Sequence, residues 1–538
     1  MVKGSQKSKL SRELSELFAG FESRASEMMN FSDCERPDPQ FSVKEMEGMQ
    51  KNFSDMQTRL DRRIKRYHNS STPIGRLADE LIVEILRLTL EPWLPLLFSP
   101  QKPIGIRDLC SICSRWRNLA INSPVLWSRI LLPCPTKTYK LFRDRSKSSP
   151  LEICISWDAL PLEDKEADLR RAGECLRELA PRISWLQLYC NPGGVGDSDI
   201  QPFLATYAGR KEFTRLKYLD LIAPSSFETL SPLNMPSLET LRFDGPLRFI
   251  PQSLTHITRL ELDCYEHQLF DIVIALEKFP LVEHLCIRTI VPLDEDDEEQ
   301  NKHHIVTLSN LRSLSVDDIH PSDMEPMLQH LELPPSASIV WGTHEPREEP
   351  SQHVSLERML GSRMSSCYSL QISDVQLASC FHESQYSFTQ TINSKNGGLF
   401  SVSFGNIEED VESAALRDLS SYPTELAVLD WQLPWLPSLS ILIDVLTSWS
   451  SLTQIRICTH EDEFERLLSA IEESPDVVCP VLESLDCTGT RFSGVRMKHF
   501  LDFRHTNCRT LRELKISAGH ASPPLEDFEP FLGKLIEV

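Results

Sequence analysis

The sequence predicts an α/β fold in two parts: a small all-helical module, then a solenoid whose parallel strands line a concave face with helices outside. Three observations carry this. Helical periodicity runs from Pro73 to Pro133, an apolar frame at first, fourth and sixth positions recurs beyond Pro133, and helix-patterned stretches separate its copies.

The recurring frame is clearest in "ISWLQL" (from Ile183), "LKYLDL" (Leu216), "LETLRF" (Leu238), "ITRLEL" (Ile257), "VEHLCI" (Val282) and "LRSLSV" (Leu311). It returns in "LTQIRI" (Leu452), "LESLDC" (Leu482) and "LRELKI" (Leu511), with weaker copies "CYSLQI" (Cys367), "LFSVSF" (Leu399) and "LAVLDW" (Leu426) between. Successive copies lie roughly 19 to 33 residues apart, which overlaps the spacing of leucine-rich repeats. "LFDIVIALEKFP", "SLSILIDVLTSWS", "EDEFERLLSAIEESP" and "GVRMKHFLDFRH" supply helices between strands, so residues 134–538 read as a leucine-rich-repeat-like solenoid. The asparagine expected three residues after the last apolar position stands only at Asn191. Pro224, Pro246, Ile290, Ile319 and Thr490 replace it elsewhere, which predicts an irregular array.

Ahead of the array, residues 1–72 form a polar segment and an amphipathic helix with Met46, Met49, Phe53, Met56, Leu60 and Ile64 at spacings of three and four. Its coiled-coil-like stripe reads either as a homodimerisation surface or as a leader helix packed on the next domain. Residues 73–133 follow as a compact helical segment. "RLADELIVEILRLTLEP" has apolar residues at helical spacing with Asp79 and Glu80 in its first turn, where the helix dipole favours acids. "EPWLPLLFSPQKPIG" reads as a proline-broken loop. In "LCSICSRWRNLA", Leu109, Ile112, Cys113, Trp116, Leu119 and Ala120 are expected on one face of a single helix, with Arg115 and Arg117 opposite.

The chain of 538 residues carries a formal net charge of -22, which disfavours non-specific binding to nucleic acid or an anionic membrane. Its first residues are too polar for a signal peptide, and no apolar run reaches the length of a membrane span. The expected location is therefore cytoplasm or nucleus, where the 15 scattered cysteines are buried thiols, not disulfides.

No catalytic constellation, cofactor site or metal site stands out, and the chain is not expected to be an enzyme. Cys110 and Cys113 form a CxxC, but zinc needs four ligands and no second pair supplies them. The run from Asp294 to Glu299 before His303 and His304 lacks the spacing of a calcium loop. "NPGGVGDSD" lacks the lysine of a phosphate loop, and Arg107, Arg115, Arg117 and Arg129 read as a solvated face.

"RLADELIVEILRL", "SICSRWRNLA" and "SPVLWSRI" together resemble an F-box, in the manner of long F-box proteins of mushroom-forming fungi, which carry an irregular repeat array behind the box. Ala78 stands where that family usually has proline, and the 91–105 insertion is longer than the family needs. The resemblance implies a subunit that docks on a Skp-type adaptor, and through it a cullin, to recruit a protein target to a ubiquitin ligase. Leu77, Ala78, Glu80, Leu81, Ile85, Leu86, Trp116, Leu126 and Trp127 would meet the adaptor.

The target would then lie on the concave sheet. Residues flanking the second and third apolar positions of each copy point away from the core: Trp185, Gln187 and Tyr189; Tyr218 and Asp220; Arg242 and Asp244; Arg259, Glu261 and Asp263; His284 and Arg288. Two other readings stand beside this one, a repeat scaffold acting outside a ubiquitin ligase and a small-molecule-binding repeat receptor.

Overall fold

The computed structural model describes residues 39–90, 105–156, 165–189, 200–207, 212–222, 234–245, 247, 254, 256–264, 269–288, 304–317, 321–343, 367–374, 388–404, 425–474, 477–507, 510–517 and 527–538, with scattered residues between 12 and 23. The chain divides into two compact units, Met1–Thr89 and Leu90–Val538. Among the described residues no helix is long and apolar enough to cross a membrane.

In the first unit the amphipathic stretch forms α1 (Pro39–Ser71), longer at both ends than its apolar stripe. Thr72 closes it, donating its hydroxyl to Asn69 O at 2.7 Å and accepting from Gly75 N at 3.1 Å. The turn demands glycine, because a Cβ at position 75 would collide with the Asn69 carbonyl oxygen. After a single 3-10 turn, α2 (Asp79–Thr89) begins with Asp79 and Glu80, as expected of a helix start. Its buried side chains are Ile82 and Leu86, whereas Leu81 and Leu88 are 55% and 69% exposed.

The second unit opens with α3 (Ile106–Ile112) and α4 (Ser114–Asn122). This corrects the expectation of one continuous helix. Cys113 is fully extended (φ −156°, ψ 169°), and its Sγ accepts from Trp116 N at 3.5 Å, so the thiol caps α4 as a serine hydroxyl would. The break separates the predicted stripe: Leu109 and Ala120 are buried, Cys113, Trp116 and Leu119 are half-buried, and Ile112 is 55% exposed.

Then comes the sheet. In chain order its strands are β1 (Arg129–Leu132), β2 (Leu151–Ser156), β3 (Ile183–Tyr189), β4 (Tyr218–Ile222), β5 (Thr240–Asp244), β6 (Arg259–Asp263), β7 (His284–Arg288), β8 (Val306–Thr307), β9 (Ser313–Asp317), β10 (Leu331–Glu332) and β11 (Ser338–Thr343). They continue with β12 (Cys367–Asp374), β13 (Phe388–Ser394), β14 (Leu399–Phe404), β15 (Val428–Gln432), β16 (Gln454–Ile457), β17 (Ser484–Asp486), β18 (Leu511–Ile516) and β19 (Leu532–Glu537). The short β8 and β10 pair with each other, and the other 17 form one sheet.

From β1 to β7, then β9 and β11, every neighbour is parallel. From β15 to β19 the parallel pattern resumes. The frame positions form the core: Ile183, Leu186 and Leu188, Leu216, Leu219 and Leu221, and each strong copy after them are buried in one cluster. Burying two or three aliphatic side chains per unit, each worth about 1.5–3 kcal/mol, is what stacks units that could not fold alone. This is a leucine-rich-repeat solenoid.

Two weak copies behave differently. β12 ("CYSLQI") and β14 ("LFSVSF") are both antiparallel to β13, while β14 is parallel to β11 and β12 to β15. The spatial order is therefore β11, β14, β13, β12, β15, a reversed meander joining two parallel arms. Within β14, Phe400 and Val402 are buried two residues apart, the strand period, and within β12 Cys367, Leu370 and Ile372 are buried.

Helices α5 (Thr136–Ser146), α6 (Lys165–Leu179), α7 (Ile200–Tyr207), α8 (Leu269–Leu276), α9 (Pro321–Gln329), α10 (Leu439–Ser448), α11 (Glu461–Glu473) and α12 (Gly494–Asn507) link strands. The four helical stretches read from the sequence correspond to α8, α10, α11 and α12. In place of an asparagine ladder, buried Thr490 accepts from Thr459 N at 3.1 Å and donates to Ile457 O at 3.0 Å, bridging adjacent units. Fully buried Arg504 spans three carbonyls, those of Val478, Cys479 and Leu482. Asn191, Pro224, Pro246, Ile290 and Ile319 lie outside the described residues, as do "NPGGVGDSD", the Asp294 to Glu299 run, His303 and most of the 91–105 insertion.

Candidate functional site

Side chains that alternate with the core positions form the outer face of the sheet. Parallel register aligns them into rows, because the strand period of two keeps every such residue on one side. The central row crosses all 17 strands. It begins Leu131, Cys154, Gln187, Asp220, Arg242, Glu261. It continues Cys286, Ser315, Val340, Ser401, Thr391, Gln371. It ends Asp430, Arg456, Asp486, Lys515, Ile536. Charge is thus held in two patches with alternating sign, and the six strands between them show no charge in this row.

In the first patch, the predicted target-binding residues are brought together, but not all of them are available to a partner. Asp263 accepts from Arg242 Nε at 3.1 Å and Nη2 at 2.8 Å, and from Arg288 Nη1 at 3.0 Å. Glu261 lies 3.7 Å from Arg288. His284 Nδ1 and Ser313 Oγ are 2.7 Å apart, and Trp185 stacks on Tyr218 with centroids 5.4 Å apart and planes 10° from parallel. Gln187, Tyr189, Asp220 and Asp263 are buried, which corrects their assignment as contact residues: their neighbours in the rows cover them. Trp185, Tyr218, Arg242, Asp244, Glu261, His284 and Arg288 are partly accessible, and Arg259 is exposed.

Asp220 is strongly perturbed by its place in this patch. Gln187 Nε2 donates to its Oδ2 at 2.9 Å, while its Oδ1 and Gln187 Oε1 have no hydrogen-bond partner. Burial pushes its carboxyl up to about 7, against the pull of Arg242 and with a further push from Asp263. Arg242, its neighbour in the row, is turned toward Asp263. The same negative cluster, after burial, raises the Tyr218 hydroxyl above its ordinary range. Cys286, also in the row, is pushed up to about 11, chiefly by burial.

The second patch follows from the same frame, which does not by itself single it out. Asp430, Arg456, Asp486 and Lys515 occupy the fifth place of "LAVLDW", "LTQIRI", "LESLDC" and "LRELKI". Arg456 lies 4.0 Å from Asp430 and Lys515 lies 3.8 Å from Asp486. Between the patches, Thr391 and Ser401 share a 3.1 Å hydrogen bond, and Thr389 and Ser403 a 2.8 Å one. Ser401 and Ser403 hold the third and fifth places of the weak copy "LFSVSF", whereas Thr389 and Thr391 lie on β13, outside the repeat frame.

The residues expected to meet an adaptor divide between the two units. In the first, Leu81 is 55% exposed, Ala78 and Glu80 are exposed, Leu77 and Ile85 are half-buried, and Leu86 is fully buried. In the second, Trp116 is half-buried, but Leu126 and Trp127 are buried. Trp127 Nε1 donates to Ala120 O at 2.7 Å, its ring meets Phe142 edge-on, and Arg145 lies 4.3 Å over its face. These bonds make Trp127 internal packing. Leu86, Leu126 and Trp127 are therefore corrected from contact residues to core.

Cys110 and Cys113 are free thiols, and among the described residues no group of three His, Cys, Asp or Glu side chains is placed to hold a metal ion.

No family model matches the chain, and no curated relative matches it. Solved structures that match include a crystal structure of an internalin from Listeria monocytogenes, 12% identical, covering 68% of this chain and 78% of that one with a TM-score of 0.18. A score that low carries no argument about this chain, so the assignment of the fold rests on the ladders and buried frame described above.

Proposed function

We propose that the chain is a non-catalytic protein-binding scaffold that recruits a protein target to a cullin-RING ubiquitin ligase. The observation that supports target binding is the central row, whose two patches of paired opposite charge are spread along the sheet instead of converging on a pocket. An extended face of this kind suits a protein surface, where alternating charge sets register and on-rate more than raw affinity. Trp185, Tyr218 and Arg259 in the first patch are among its accessible large side chains, of the types that dominate protein interfaces.

The ligase half of the proposal rests on the F-box resemblance of "RLADELIVEILRL" and "SICSRWRNLA". The accessible residues left for a Skp-type adaptor are Leu77, Ala78, Glu80, Leu81, Ile85 and Trp116. The chain would act by proximity, since a target held on the array while the ligase is held at the helical region undergoes effectively intramolecular transfer. Titration of the full chain with purified Skp-type adaptor tests this: saturable binding, weakened by Leu81→Asp and by Trp116→Ala, is expected. A wild-type chain that does not bind the adaptor would refute the ligase role.

Burial of Leu86, Leu126 and Trp127 favours a second reading, a repeat scaffold working outside a ligase, because it removes three of the nine expected anchors. In that case target capture persists with neither adaptor nor cullin in the complex.

A further inference from the structure

The long helix α1 carries a surface that neither the repeat face nor the adaptor reading uses. Along its 33 residues, Met46, Phe53, Leu60 and Tyr67 recur every seventh position (a), with Met49, Met56 and Arg63 at the intervening d positions. Part of this stripe is exposed: Met46 is 54% exposed, Phe53 43% and Tyr67 52%, while Met49, Met56 and Leu60 are half-buried. Two further apolar residues, Val43 and Ile64, lie beside the stripe at e positions and are 50% and 43% exposed. Charge is polarised along the helix. Glu45, Glu47 and Asp55 with Lys44 and Lys51 occupy the first half, and Arg59, Arg62, Arg63, Lys65 and Arg66 with Asp61 the second.

From this pattern we infer that α1 pairs with α1 of a second copy of the chain as an antiparallel two-helix coiled coil, with Phe53 facing the second copy's Met56. A parallel pair is disfavoured by its own layers. It sets Arg63 against Arg63 in the seam, brings the two basic halves side by side, and places Arg59 beside Ile64 across the flank. Reversing one helix removes each conflict. Met49 then faces Leu60 and Met46 faces the stem of Arg63. Along the flanks Val43 meets Ile64, which accounts for the two exposed e-position side chains, and Glu45 meets Arg66. Two-fold symmetry makes every one of these pairs twice.

Light scattering and sedimentation of the full chain test the inference. A dimer is expected, dissociating to monomer in Met56→Glu/Leu60→Glu with its circular dichroism unchanged apart from α1. Glu45→Arg alone and Arg66→Glu alone each weaken dimerisation several-fold, and the double exchange in one chain restores it, because each swapped residue again meets its opposite in the reversed helix. A monomeric wild type overturns the inference, as does a dimer indifferent to Met56→Glu/Leu60→Glu. Failure of the double exchange to rescue overturns the antiparallel register.

Discussion

Gln187 and Asp220 are register partners on adjacent parallel strands, and the amide holds one carboxylate oxygen at 2.9 Å while the other oxygen is buried without a partner. Folding raises this carboxyl from 3.8 to about 7. Between those values the folded chain keeps a proton that the unfolded chain has released. Its contribution to stability therefore falls as pH rises through that window and is level above it. Asp220→Asn keeps an acceptor for Gln187 and cannot ionise. The variant should be more stable than wild type at pH 8, by on the order of a few kcal/mol, with the gap closing toward pH 4. Urea unfolding at both pH values decides it, and an equal difference at both would count against a buried, neutral-favouring site.

Asp263 anchors the first charged patch and is far less exposed than the two arginines it binds. Removing it leaves both guanidinium groups without their principal carboxylate, so Asp263→Ala should cost about 3 kcal/mol. Arg259→Ala, at an exposed position of the neighbouring row, should change stability by less than about 0.5 kcal/mol. Thermal unfolding of the pair separates residues that build the face from residues free to contact a partner.

Thr490 stands in for the missing ladder asparagine at one step of the array. Thr490→Val keeps the shape but leaves Thr459 N and Ile457 O unsatisfied, and should cost about 1–3 kcal/mol. Thr490→Ser retains both bonds and should cost less. Amide exchange at Thr459 reads the loss directly: faster exchange is expected in the valine variant and near-native protection in the serine variant.

Trp127 is a test of folding, not of docking. Trp127→Ala should lose about 3–5 kcal/mol through the cavity and the lost indole bond to Ala120. Trp116→Ala, at a half-buried site, should lose less stability while weakening adaptor binding. If Trp127→Ala left stability unchanged and abolished adaptor binding, the assignment of Trp127 to the core would be wrong.

These outcomes bear on how far the sequence could be read. Every strong copy of the apolar frame became a strand because its three apolar positions share one buried face, a signal that depends only on local spacing. β2, β11 and β19 escaped because their frames are incomplete, whereas β1 has Trp127, Ile130 and Leu132 at the frame positions but lies inside the segment read as helical. β11 has Ser336 at the first place of its frame, ahead of Ile339 and Trp341, and the third apolar place of "LGKLIE" is Glu537. β13 has Gln390 at a buried position, so no hydrophobic count would find it, and its antiparallel pairing depends on partners distant in sequence.

The outer face was legible as a list but not as a surface. Spacing placed Gln187, Asp220 and Asp263 on the correct side of the sheet, yet their burial depends on neighbours in the rows that only register brings together. The break at Cys113 was invisible to periodicity, since cysteine seldom caps a helix and the apolar spacing ran through it unbroken.

The central claim is that one end of the chain holds a ligase and the outer face of the sheet holds a target. Quantitative capture with the full-length wild type and the Trp185→Ala/Tyr218→Ala/Arg259→Ala variant, matched for stability, tests both ends at once. The account predicts that the variant loses a defined set of proteins while retaining adaptor and cullin in wild-type amounts. Identical captured sets, or no adaptor and cullin with either chain, would contradict it.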